Sequence, residues 1–167
     1  MLVPFESLPD HSRIWIYQSN RKFNSQEIII ISELLSSFLK GWNAHGVSLK
    51  SSFDIRFNQF VILAADENSN AASGCSIDDS VRVVKELAEK LGVDFFDRAL
   101  IAFKKQEEVI TIPVPDLKKK YQDGVWNNQT LLINNLVNMK GDLNKGWLVP
   151  AELTWLKRYL PKETVVD

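Results

Sequence analysis

At 167 residues, with 45% hydrophobic and 25% charged side chains, the chain is long enough to bury an apolar core without disulfides or a structural metal. Twenty Lys and Arg against twenty-one Asp and Glu leave a net charge of −1, so no overall field draws it onto nucleic acid or an anionic membrane. A single cysteine, Cys75, and two scattered histidines, His11 and His45, exclude an internal disulfide and a zinc site built from thiolates, and the expectation is one cytoplasmic domain over residues 1–167 with no metal and no cofactor.

In chain order, residues 13–18 are rich in β-branched and aromatic side chains and predict a first strand. Asn24, with Glu27 three residues on, has the spacing of a capping box, and Phe23 and Ile28 flank it as a hydrophobic staple. Ile28, Ile31, Leu35, Phe38 and Trp42 then repeat at helical intervals until Gly46 offers a stop. Leu49, Ser51, Phe53, Ile55 and Phe57 alternate with Lys50, Ser52, Asp54 and Arg56, which predicts a strand with one wet face and a turn at Asn58-Gln59.

Residues 60–65 have no polar alternation and predict a central strand covered on both faces; the run is far too short to cross a bilayer, and the amino terminus lacks the basic-then-apolar pattern of an export signal. A polar loop from Asp66 to Asn70 leads through Ser73-Gly74 into a second helix, with Ile77, Val81, Val84, Ala88 and Leu91 inward and Gly92 as its end. Arg82 with Glu86, Lys85 with Glu89 and Glu86 with Lys90 stand four apart on its outer face.

Residues 99–103 and 109–114 predict a hairpin whose second strand is confined to an edge or end by Pro113 and Pro115. Beyond it the pattern predicts a short helix at 116–121, a short strand at 130–133, a helix at 136–143 and a closing helix at 151–160 opened by Pro150. Lys118-Lys119-Lys120 reads as a solvated face, and Trp42, Trp147 and Trp155, set among leucines, read as core.

Strand, helix, strand, strand, helix, strand is the order of a ferredoxin-like (split βαβ) connectivity through residue 103. The expected class is therefore α+β: an antiparallel sheet with helices on one face, then a hairpin strand and a mostly helical C-terminal extension.

A phosphate-binding loop needs glycine-rich backbone, a lysine and a hydroxyl between a strand and a helix. Gly41 to Gly46 has the glycine spacing but is followed by Val47-Ser48, and Gly141 to Gly146 is followed by Trp147-Leu148. The stretches 13–18, Trp42-Asn43-Ala44-His45-Gly46 and Ser73-Gly74-Cys75-Ser76-Ile77-Asp78 together resemble a family of small bacterial proteins labelled "ABC transporter ATPase". That resemblance runs over nearly the whole chain. It implies nucleotide hydrolysis coupled to transport, a chemistry that needs a lysine directly after the second glycine, where these two hexapeptides are followed by Val47 and Trp147.

Chemistry concentrates where residues 73–79 feed the second helix, since free N–H groups and the positive end of the helix dipole favour an anion there. In one hypothesis Cys75 is a nucleophile, His45 its base, and Asp78 or Asp79 the carboxylate that orients the base. In another, the loop from Asn68 to Ser76 holds a small anionic ligand or a protein partner without turnover, through Ser73, Gly74 and Ser76 with Arg82 as counter-charge. The plain alternative makes Cys75 a small buried hydrophobe, Ser76 or Asp78 a helix cap, and His45 a satisfied residue at a helix end.

Overall fold

The computed structural model describes residues 1–162, which form three α-helices and nine strands in two compact units. The first comprises Met1–Asp97 and Asn135–Lys145; the second comprises Arg98–Asn134 and, among the described residues, 146–162. The α+β class holds for the chain.

In the first unit, strands β1 (Arg13–Gln18), β4 (Lys50–Arg56) and β5 (Phe60–Asp66) form a sheet in the order β1-β5-β4, and β5 runs antiparallel to both neighbours. The register aligns Trp15, Leu63 and Phe53 in one row and Tyr17, Val61 and Ile55 in the next. These rows face helices α1 (Ser25–Gly41) and α2 (Gly74–Leu91), whose Ile31, Leu35, Val84 and Leu87 close the core against them. Each such fully buried aliphatic side chain contributes about 1.5–3 kcal/mol relative to exposure. Residues 60–65 of β5 are buried on both faces, as their unbroken apolar run predicts.

Helix α1 starts as the spacing predicts. The Asn24 side chain accepts from the Glu27 amide at 2.9 Å and the Glu27 carboxylate accepts from the Asn24 amide at 2.9 Å, so both halves of the capping box are present. The helix ends at Gly41, short of Gly46, because residues 43–48 make a small hairpin of β2 (Asn43–Ala44) and β3 (Val47–Ser48). Its two-residue turn, His45-Gly46, has φ of 53° and 77°, the left-handed pair that matches strand twist.

The face of β4 expected to be wet is partly covered. Ser52 is buried, and Arg56 lies over the ring of Phe5, whose 3-10 turn (Phe5–Ser7) packs on β4.

The ferredoxin-like connectivity is reproduced for three strands and not completed by a fourth. Residues 138–141 run along the outer edge of β1 instead: the Ile14 amide donates to the Asn138 carbonyl, Lys140 to Ser12 and Gly141 to Asp10, at 2.8–2.9 Å. A helix over 136–143 would leave that edge's backbone groups unpaired; the chain instead turns at 135–136 and Met139 bridges to Arg13 before a 3-10 turn at Lys140–Asn144. Gly141 fits closely there, since a Cβ would stand 3.0 Å from the Asp10 Cβ.

The predicted fourth strand, β6 (Leu100–Lys105), belongs to the second unit. There it pairs with β7 (Glu108–Pro113) and β8 (Leu131–Ile133), and β9 (Leu148–Pro150) completes the order β7-β6-β8-β9. Helix α3 (Leu117–Gln122) follows β7, within a residue of its predicted span.

The mostly helical extension is corrected by the same unit, which places two strands and short 3-10 turns in it. The closing helix predicted at 151–160 is two 3-10 turns, Ala151–Leu153 and Trp155–Tyr159, because Thr154 adopts an extended backbone (φ −123°, ψ 179°) and caps the second turn. Trp126 centres this core, stacked on Phe103 at 5.3 Å and donating from Nε1 to the Leu117 carbonyl at 2.9 Å.

Among the described residues no helix is long and apolar enough to cross a membrane.

Candidate functional site

The mouth of α2 is built by three hydrogen-bonding devices. Ser73 is the N-cap, with its Oγ accepting from the Ser76 amide at 3.2 Å, while the Ser76 hydroxyl donates back to the Ser73 carbonyl at 2.9 Å. The buried Trp42 indole donates to the Ser76 carbonyl at 2.8 Å and fastens the first turn to the base of the β2–β3 hairpin. Glu67 accepts from the Ala72 amide at 2.9 Å and closes the preceding loop. The cap therefore falls on Ser73, not on Ser76 or Asp78, because only the residue outside the first turn has the extended backbone (φ −86°, ψ 167°) that aims its hydroxyl at the third helical amide.

This arrangement leaves the amides of Gly74 and Cys75, the first two helical residues, without an acceptor among the described residues. They lie at the positive end of an 18-residue helix. Cys75 is exposed, not the buried hydrophobe of the plain alternative. Acidic side chains stand nearby, but most have nitrogen partners: Asp66 has the Lys50 amine at 3.9 Å and the His11 imidazole at 3.5 Å, Glu67 has Arg13 at 3.7 Å, and Asp79 has Arg82 at 2.9 Å.

The other predicted site residues are placed as follows. Asp78 is exposed one turn beyond Cys75 on α2, while His45 is exposed at the tip of the hairpin. The hairpin is held near the loop by Asn70, whose amide donates to the Ala44 and Val47 carbonyls at 3.3 and 2.9 Å. No hydrogen bond joins Cys75, His45 and Asp78 to one another among the described residues. Arg82 is eight residues past Gly74, about 12 Å along the axis, and is engaged by Asp79 rather than by Glu86. Among the described residues no group of three His, Cys, Asp or Glu side chains is placed to hold a metal ion.

The second unit carries a surface that the sequence reading assigned otherwise. Trp155, expected in the core, is 42% exposed, and Leu153 two residues earlier is 73% exposed. Helical spacing had turned both inward, and the extended Thr154 between two 3-10 turns rotates them out. The Trp155 ring meets Tyr159 edge-on at 6.2 Å, Tyr159 meets the buried Trp126 at 6.3 Å, and Arg158 lies over Trp155 at 5.5 Å. Nothing in the periodicity signals this; only the β-branched Thr154 between Leu153 and Trp155 marks the break.

Comparison with protein-family models, curated proteins and solved structures finds no match to this chain.

Proposed function

We propose that this chain is a non-catalytic α+β binding domain of the cytoplasm that holds a small anionic group at the mouth of α2. What carries the reading is the pair of unpartnered amides at Gly74 and Cys75, in a turn shaped by Ser73, Trp42 and Glu67 before any ligand arrives. Two amide donors and the half-charge of a helix end give weak, reversible binding, in the millimolar range for phosphate or a carboxylate.

Proline at position 74 tests it. A proline is well tolerated as the first helical residue, Ser73 already has the extended backbone a following proline requires, and a Cβ at Gly74 meets nothing within 4 Å. Gly74→Pro therefore deletes one of the two donors and leaves the fold in place. Phosphate should raise the melting temperature of the parent chain in a dose-dependent manner and do so less for Gly74→Pro; equal stabilisation of both chains refutes the site.

A thiol-dependent enzyme is the second reading, favoured by the exposure of Cys75 at the second position of a helix. It requires His45 to reach the thiol as a base, and it predicts loss of turnover in both Cys75→Ser and His45→Gln. Nucleotide hydrolysis is the reading the residues support least. Gly41 ends α1, Gly46 turns a hairpin and Gly141 lies against Asp10, so none of the three opens a helix onto a phosphate.

A further inference from the structure

The second unit joins its exposed aromatic surface to an excess of positive charge, independently of the α2 mouth. The turn Trp155–Tyr159 packs against α3, and these two elements together carry Lys118, Lys119, Lys120, Lys157 and Arg158 with no acidic residue within either. Of the flanking carboxylates, Asp123 pairs with Lys119 at 3.4 Å, Glu152 accepts from the neutral amides of Asn128 and Gln129, and Asp116 is exposed before α3, so five cations stand against three carboxylates. Lys118, Lys157 and Arg158 are exposed, as are Leu153 and Trp155, and Arg158 lies over the Trp155 ring.

The geometry points to this face as a docking surface for an acidic protein segment that brings an apolar side chain onto Leu153 and Trp155. Trp155 and Arg158 are the residue types that most often dominate protein interfaces, and the Trp155 ring is held in place through Tyr159 by the buried Trp126, so little side-chain freedom is lost on docking. The surrounding lysines complement carboxylates and steer their approach. A single-stranded nucleic acid fits less well, because Arg158 already covers a face of the Trp155 ring on which a base would stack. A membrane surface fits less well because two 3-10 turns offer two large apolar side chains where an interfacial helix offers a whole face.

The test is fluorescence anisotropy of the full chain with a labelled peptide of alternating glutamate and leucine. The lysine–leucine counterpart, oligouridine and phosphatidylserine vesicles are run in parallel. The expected result is binding of the acidic peptide alone that weakens as salt rises, falls tenfold or more in Trp155→Ala, and falls likewise in the Lys118→Glu, Lys157→Glu double variant. The double variant changes only exposed side chains, so its loss cannot come from unfolding. Equal binding of the lysine peptide, tighter binding of oligouridine or vesicles, an unchanged affinity in the double variant, or no acidic-peptide binding at any concentration tested would each overturn the assignment. Gly74→Pro should leave this binding unchanged, which separates it from the anion site.

Discussion

Arg21 and Glu27 tie the beginning of α1 to the end of α2, and removing the Glu27 carboxylate measures what that tie contributes. The two guanidinium nitrogens of Arg21 donate to the two carboxylate oxygens of Glu27 at 2.9 and 2.8 Å, and Arg21 also donates to the Leu91 carbonyl at 2.6 Å. Hydrogen bonds from Arg21 and from the Asn24 amide hold the Glu27 carboxyl at about 2, well below its ordinary 4.5, while the same partner raises Arg21.

Glu27→Gln keeps an acceptor for the Asn24 amide but loses the charge and one of the two oxygens that accept from Arg21. Glu27→Ala loses both. The half-exposed Arg21 is screened by solvent, so the charge contributes about 0.5–1 kcal/mol and the cap about another 1 kcal/mol. Because folding depresses this carboxyl, its stabilisation is present above pH about 4.5 and is lost as the pH falls through about 2. Urea unfolding across that window should show the parent chain more stable than Glu27→Gln at neutral pH, with the difference shrinking steadily toward zero in acid. A difference that is the same at both ends, or absent at neutral pH, refutes the role given to the charge.

Other outcomes follow from single contacts. Gly141→Ala should destabilise by about 1–3 kcal/mol in urea unfolding, since the new methyl group meets the Asp10 Cβ at 3.0 Å on the segment that pairs with β1. Gly92→Ala should cost about 1 kcal/mol by the same assay, because Gly92 closes α2 in the left-handed conformation at φ 63°. Ser51→Ala should be neutral or stabilising by up to about 1 kcal/mol, for its hydroxyl is buried without a hydrogen-bond partner among the described residues. Iodoacetamide should label Cys75 in the folded protein as completely as in urea, judged by mass spectrometry, because the thiol is exposed.

The elements legible in the sequence are those whose signals are local and reinforce one another. Asn24 and Glu27 announce α1 through a cap that needs only four consecutive residues, and the unbroken run at 60–65 announces a strand covered on both faces. What the sequence does not carry is competition for a sheet edge. Nothing in residues 136–143 says that their backbone will pair along β1, displacing the fourth strand of a split βαβ sheet, since that outcome depends on Gly141 fitting against Asp10 more than a hundred residues away.

The site divides the same way. A helix start after Ser73-Gly74 is readable from the glycine turn, whereas the cap at Ser73, the pairing of Arg82 with Asp79 and the outward turn of Trp155 follow from backbone geometry, side-chain pairing and a one-residue break at Thr154.

The central claim is that the mouth of α2 offers two free amides to an anion, and the most direct measurement is a phosphate titration followed in nitrogen–proton correlation spectra. The expected result is saturable shifts centred on the Cys75 amide, larger than those anywhere else in the first unit and weakened in Gly74→Pro. Shifts that are uniform over the chain, centred away from residues 73–76, or undiminished in Gly74→Pro would contradict it.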